Sequence, residues 1–219
     1  MGIKLVIFDF DGTLCDTKHI VVTTQQQSVR KMGWPVPSSD ACAATIGLKI
    51  KDCFQTLCPG MSDEDARQCI KIYRHLYVIN KKIMEPGLFP NVRETLERLV
   101  AQNVLLAIAS SRSSQSLAEM LCELGIARQM ACVIGAEDVI YSKPNPEPVL
   151  RILELTGVPV SECLVVGDMP VDLQMGKAAE TRTCAVSYGN ASRQQLENET
   201  PDYIVDDIQE LLMIINTRC

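Results

Sequence analysis

Histidine is nearly missing from this sequence: His19 and His75 are the two found in 219 residues. A catalytic or structural zinc site, or a Ser, His and Asp relay, needs imidazole at defined spacing, and no such set is readable here. Any catalysis is therefore expected to fall to carboxylates. Clustered positive charge is missing as well. Twenty-one Lys and Arg stand against 27 Asp and Glu, a formal charge of −6, and no basic block runs along the chain to neutralise a phosphate backbone. Nucleic acid is not an expected partner. Long apolar runs are also lacking. Lys4, Asp9 and Asp11 interrupt the first apolar stretch, which leaves nothing fit for a signal peptide or a membrane span. A soluble, cytoplasmic protein without a membrane partner is expected.

What the sequence does contain is apolar surface. Hydrophobic residues make up 47% and charged residues 22%, enough for one substantial core and a small companion domain, and incompatible with disorder, collagen or coiled coil. Ten cysteines are present, but a chain of this length needs no disulfide scaffold, and none has the two-residue separation of a zinc knuckle. They read as buried, reduced thiols. No internal repeat or low-complexity tract interrupts the chain.

Short apolar runs followed by a turn and a helical pattern indicate a parallel sheet with crossover helices. The clearest runs are Leu5 to Phe8, Val104 to Ala109 and Leu164 to Val166. After the second comes a serine-rich turn, then Leu117, Met120, Leu121 and Leu124 at helical spacing, closed by Gly125. Upstream of that run, Asn91 and Glu94 have the spacing of a capping box, with Leu96, Leu99 and Val100 as the buried stripe. Asn145 and Pro146 open a further helix that Gly157 closes. Residues 15–85 break the alternation and read as several helices. In the last of them Ser62 caps an acidic first turn, Ala66, Cys69, Tyr73, Leu76, Tyr77 and Ile83 form the apolar face, and Lys81 and Lys82 lie near its end. The expected organisation is a core domain of residues 1–14 and 86–219 with a helical cap of residues 15–85 hinged on two linkers.

The first run ends in Asp9, Phe10, Asp11, Gly12 and Thr13. Carboxylates two apart leave an extended strand on the same side, and at the end of a buried strand they ask for a cation or a shared proton. Turn capping would account for them equally well. Three more signals fall after predicted strands or at helix entrances: Ser110, Lys143 before Pro144, and Gly167-Asp168 with Asp172. Alone, the serine reads as a turn residue and the lysine as solvated surface. Together these residues supply what moving a phosphoryl group requires: carboxylates for Mg²⁺, a nucleophile, a hydroxyl and an ammonium.

Those segments resemble the four motifs of the haloacid dehalogenase superfamily, in order and across essentially the whole chain. The likeness is greatest to the branch whose helical cap follows the first strand, as in phosphoglycolate phosphatase-like enzymes. The resemblance implies an α/β, Rossmann-like parallel-sheet core with a small inserted helical cap. It implies that Asp9 attacks phosphorus to form an aspartyl-phosphate, while Asp11 first protonates the leaving oxygen and then deprotonates the hydrolytic water. Mg²⁺ would be held by the Asp9 carboxylate, the Asp11 backbone carbonyl and Asp168, with Asp172 in support, and Ser110 and Lys143 would bind the transferring group. Gly12, Thr13 and Ser111 are assigned to substrate binding, and so is a cap loop in which Gly47 permits close approach and Lys49 meets an anionic part of the substrate. Lys49 reads equally well as a solvated helix entrance.

The expected partner is a small-molecule phosphate ester, and the protein a monomer or homodimer. Asp11 fills a place that dehalogenases leave without aspartate. A β-phosphoglucomutase-like sugar-phosphate mutase, a pyrophosphatase of the same branch and a catalytically idle binding module remain alternatives. The mutases typically have a cap histidine four residues beyond the threonine matched by Thr17; here that position is Val21, and His19 reads as an exposed helix residue. Arg112 follows Ser110 and Ser111 where phosphoglycolate phosphatases often carry lysine. Glu180 replaces a common glycine, for which a local change of turn is expected. Cys15, near the flap, reads as packing, and Trp34 and the cap tyrosines as core.

Overall fold

A computed structural model describes residues 2–216. Its frame is a six-stranded, all-parallel sheet of β1 (Leu5–Phe8), β2 (Leu105–Ala109), β3 (Met130–Ile134), β4 (Cys163–Gly167), β5 (Arg182–Val186) and β6 (Tyr203–Val205), in the order β3-β2-β1-β4-β5-β6. Strand β1 lies between β2 and β4, with Leu5 beside both Leu105 and Cys163. The winding direction reverses between β1 and β4. Their carboxyl ends therefore border the crevice where open α/β sheets bind ligands.

The pleat decides which helix covers which face. Val6 and Phe8 of β1 point to one side, where they pack with α5 (Val92–Ala101), α6 (Ser114–Glu123) and α10 (Leu211–Asn216). Leu5 and Ile7 point to the other, against α7 (Glu147–Thr156) and α8 (Pro170–Ala178). Both faces of the central strands are thus dry, as parallel sheets require, and this explains their unbroken apolar runs. Gly125 and Gly157 follow α6 and α7 in left-handed backbone, as their sequence positions indicate.

Between β1 and α5 the chain forms four helices, α1 (Lys18–Lys31), α2 (Ser39–Ala43), α3 (Ile50–Leu57) and α4 (Asp63–Met84). Three apolar clusters built around Phe54, Tyr77 and Cys42 draw every member from residues 20–84. Ser62 accepts a hydrogen bond from the Asp65 N–H and so caps α4, with Asp63, Glu64 and Asp65 in its first turn. A buried polar seam joins α1 to α4: Asn80 donates to Thr24 at 2.8 Å and to Gln27 at 3.0 Å.

Several local expectations need correction. Asn91 does not form a capping box; its backbone is left-handed at φ 63°, unlike the extended backbone of a capping residue, and its amide donates to Asp207 at 2.6 Å. Val100 is 42% exposed because it turns about 100° from the buried Leu99. Ile83, in the final turn of α4, is 72% exposed. Cys122 is exposed and Cys132 half-buried, although all nine described cysteines are free thiols; Cys219 lies outside the described residues. Glu180 takes φ 60°, so a side-chain-bearing residue makes the left-handed turn that glycine would make without strain.

Candidate active site

The two acidic pairs come together at the crevice between β1 and β4. Asp9 leaves β1 and is buried; Asp168 leaves β4, and Asp172 lies in the first turn of α8. One carboxylate oxygen from each of the three lies within 4.8 Å of the others. Lys143, equally buried, inserts its ammonium between two of them, donating to Asp9 Oδ1 at 2.5 Å and to Asp172 Oδ1 at 2.6 Å. Its basicity is raised: burial opposes the charge, but Asp172 and Asp9 overcome that effect.

Asp168 is fixed by other donors. Thr13 Oγ1 donates to Oδ1 at 2.9 Å, while the Asn190 backbone N–H and side-chain amide reach Oδ2 at 2.7 and 2.8 Å. The same Asn190 amide donates to the Asp11 carbonyl oxygen at 3.4 Å, so that oxygen lies on the Asp168 side of the site. Asp172 likewise has both oxygens engaged, one by Lys143 and one by the Met169 N–H at 3.0 Å. Gly12, at φ 94°, lets the loop close over this cluster; a Cβ there would fall 2.2 Å from Asp168 Oδ2 and 2.1 Å from Asn190 Nδ2.

The Asp11 side chain turns away from the cluster. Arg112 grips it side-on, Nε donating to Oδ2 at 3.1 Å and Nη2 to Oδ1, and Thr17 Oγ1 also donates to Oδ1 at 2.6 Å. Burial alone would raise the Asp11 pKa, but the Arg112 charge and the Arg112 and Thr17 hydrogen bonds hold it below the ordinary carboxylate value. Asp9 moves the other way, well above that value, because burial outweighs Lys143 and the neighbouring aspartates add to it. Burial, then Asp172, lifts Asp168 to about 7. Four carboxylates, three of them buried, face two cationic side chains, so with all four ionised two negative charges are unmatched, which is why Asp9 and Asp168 hold their protons when no cation is bound. An all-oxygen donor set carrying that excess suits a hard divalent cation such as Mg²⁺.

A cavity of about 730 Å³ opens over Asp9, Asp11 and Ser110, roofed by the helical insert. Ser110, at the end of β2, is buried and accepts a hydrogen bond from the Arg112 N–H at 3.2 Å. Ser111 and Lys49 also line the cavity, but in this conformation they bridge insert and core: Ser111 donates to the Gly47 carbonyl at 2.6 Å and Lys49 to the Ile140 carbonyl at 3.2 Å. Gly47, at φ 97°, packs close to Val171 and Met169. Thr13 is fully buried behind the wall, its hydroxyl spent on Asp168. Tyr73 and Tyr77 join the insert's apolar core and the cavity wall together. Cys15 Sγ donates to the Gly87 carbonyl, and burial pushes its thiol up to about 12, so it is a packed, protonated group.

A model of haloacid dehalogenase-like hydrolases matches residues 6–186, which include every carboxylate of this site. The chain belongs to the haloacid dehalogenase-like hydrolase family. It is 29% identical over 215 residues to a phosphoglycolate phosphatase of Pseudomonas savastanoi pv. phaseolicola, covering 95% of this chain and 78% of that protein. To the pyrophosphatase PpaX of Oceanobacillus iheyensis it is 28% identical over 215 residues, 98% of each chain. A crystal structure of a haloacid dehalogenase-like hydrolase from Bacteroides fragilis superposes with a TM-score of 0.85 at 27% identity, over 95% of this chain and 99% of that one.

In this haloacid dehalogenase-like hydrolase two contacts were not evident from sequence. Arg112 stood out merely as a departure from lysine, although its place two residues after Ser110, in the same turn, puts it within reach of the β1 carboxylates. Asn190 follows β5, a strand without a distinctive apolar run, and no local signal marks it.

Proposed function

We propose that this chain is a Mg²⁺-dependent phosphatase that hydrolyses a small phosphorylated metabolite through an aspartyl-phosphate. The observation that carries the reading is the convergence of Asp9, Asp168 and Asp172 around Lys143, in a family of hydrolases with phosphatases among the relatives. Asp9, the carboxyl end of Asp168 and the Asp11 carbonyl would hold the cation. When bound, Mg²⁺ offsets the repulsion between the Asp9 carboxylate and the incoming phosphate. Lys143 and Ser110 hold the phosphoryl oxygens. An Asp9 oxygen attacks phosphorus as the bond to the leaving oxygen breaks, and Asp11, once clear of Arg112 and carrying a proton taken from solvent, gives that proton to the leaving oxygen. Asp11 then takes a proton from water, the water oxygen bonds to phosphorus, and Asp9 leaves as a free carboxylate with inorganic phosphate.

The cavity fits a small molecule, with Ser111, Gly47 and Lys49 in the wall on which the non-reacting part rests, while Gly12 and Thr13 act behind it by holding Asp168 and its loop in place. Hydrolysis is favoured over mutase chemistry by Val21, an alkyl group on the cavity wall where a mutase-like enzyme would carry histidine. The likeness to a pyrophosphatase keeps a phosphoanhydride within the substrate range.

The test is a panel of phosphate esters and pyrophosphate, assayed with Mg²⁺, with a chelator, and with Asp9→Asn of verified fold. Phosphate release is expected in the first condition and its loss in the other two, by at least about 10³-fold for a removed nucleophile. Full turnover by Asp9→Asn removes the proposed nucleophile. Isomerised product from a hexose 1-phosphate, without phosphate release, would establish the mutase instead.

A further inference from the structure

We propose that Arg112 selects substrates bearing a second anionic group, a carboxylate or another phosphate, on the leaving portion, and that by transferring to this group it frees Asp11 to meet the leaving oxygen. The proposal rests on the phosphatase reading and names the substrate class for that site. In the structure both Asp11 oxygens are taken: Arg112 holds Oδ1 and Oδ2 side-on, and Thr17 adds a second donor to Oδ1. With three of its four acceptor positions filled, the carboxyl group is fixed toward Arg112 and Thr17 and is not free to turn toward a leaving oxygen. One of its holders must move, and the guanidinium is the one that an incoming anion can attract.

Arg112 is anchored independently of Asp11, so it can change partner without losing its place. Nη1 donates to Ser116 Oγ at 3.0 Å, and the guanidinium carbon lies 4.9 Å from the Tyr77 ring centroid and 5.6 Å from that of Phe10. Its side chain is 8% exposed, on the cavity wall beside Asp11. A fork of this geometry fits a carboxylate or phosphate in two parallel hydrogen bonds. A neutral leaving group offers no such exchange, because it would strand a desolvated cation. The other cations of the wall are placed differently. Lys81 pairs with Glu123 at 2.8 Å, Arg74 approaches Glu137 at 4.0 Å, Lys51 pairs with Asp63 at 2.9 Å, and the half-buried Lys49 donates to a backbone carbonyl. Of the cations that line the cavity, Arg112 is the one in contact with a reacting group.

The experiment compares kcat and KM for phosphoglycolate and 2-hydroxyethyl phosphate, which differ chiefly in one carboxylate, in wild type, Arg112→Met and Lys49→Ala with saturating Mg²⁺. Wild type is expected to favour phosphoglycolate in kcat/KM by at least about tenfold, the smallest effect of a charge-assisted hydrogen bond. Arg112→Met is expected to bring that ratio close to one, with kcat on the neutral ester raised because Asp11 is released, whereas Lys49→Ala keeps most of the preference. If Arg112 merely steadies Asp11, the Met variant lowers both esters by the same factor and the ratio survives, which overturns the proposal. Equal use of both esters by wild type overturns it without any variant having to fold. Turnover of neither ester, nor of any in the wider panel, overturns the phosphatase reading itself, and this proposal with it.

Discussion

Replacing Lys143 with methionine keeps most of the unbranched stem and deletes the ammonium that separates Asp9 from Asp172. Both contacts, at 2.5 and 2.6 Å, are buried, so water does not take over the role of the ammonium. At an effective dielectric near 20, unit charges about 4 Å apart interact by about 4 kcal/mol, and breaking a buried pair by removing one partner costs about 3–5 kcal/mol in practice. We expect Lys143→Met to lose about 3–5 kcal/mol of unfolding free energy at pH 8 without metal. The loss should shrink on acidification. Asp9 already has a raised pKa from burial, and removing Lys143 takes away the main influence that lowers it. A group raised in the folded state favours folding below its unfolded pKa and loses that advantage as pH rises through the folded value, so the variant's deficit grows from pH 5 to pH 8. Urea unfolding followed by circular dichroism at both pH values measures it. A deficit under about 1 kcal/mol at pH 8, or one equal at both, refutes the account of Lys143 as the internal counter-charge.

Two further outcomes follow from the same electrostatics and packing. With Asp168 lifted to about 7, mainly by burial and then by Asp172, the folded protein binds more protons than the unfolded chain between about pH 4 and 7. The metal-free protein should therefore lose stability across that window, and the rise in Tm given by saturating Mg²⁺ should be larger at pH 8 than at pH 6; a pH-independent rise in thermal melts argues against a titrating Asp168. Gly12→Ala should cost at least about 1–2 kcal/mol from left-handed backbone alone and should also weaken Mg²⁺ binding, since its Cβ would fall 2.2 Å from Asp168 Oδ2. Calorimetry showing parental stability and affinity would mean that the loop has room to shift.

Much of the framework was legible because helix and strand periods are local properties of a sequence. The runs at Leu5, Val104 and Leu164 became β1, β2 and β4, and the caps at Ser62, Gly125 and Gly157 formed where their chemistry placed them. Strands β3, β5 and β6 were less legible: β3 lies at the sheet edge and is mostly half-buried, β5 opens with Arg182 and Thr183, and β6 has three residues. Asn91 shows the limit of local reading: its spacing to Glu94 is right for a capping box, but its amide goes to Asp207, 116 positions away.

Residue types, order and spacing were enough to nominate Asp9, Asp11, Ser110, Lys143, Asp168 and Asp172, because four of them sit just after a strand and Lys143 and Asp172 at the entrance to a helix. Which of them touch, and what else touches them, depended on strand order. Placing β4 beside β1 sets Asp168 next to Asp9, and the loop before α7 carries Lys143 back across 134 positions to meet both acidic pairs. Strand order also delivers Arg112 to Asp11 and Asn190 to Asp168, contacts between residues 101 and 22 positions apart. Charge pairing follows distance through space, which a linear pattern does not encode, so the candidate residues could be read from the sequence while their wiring belonged to the fold.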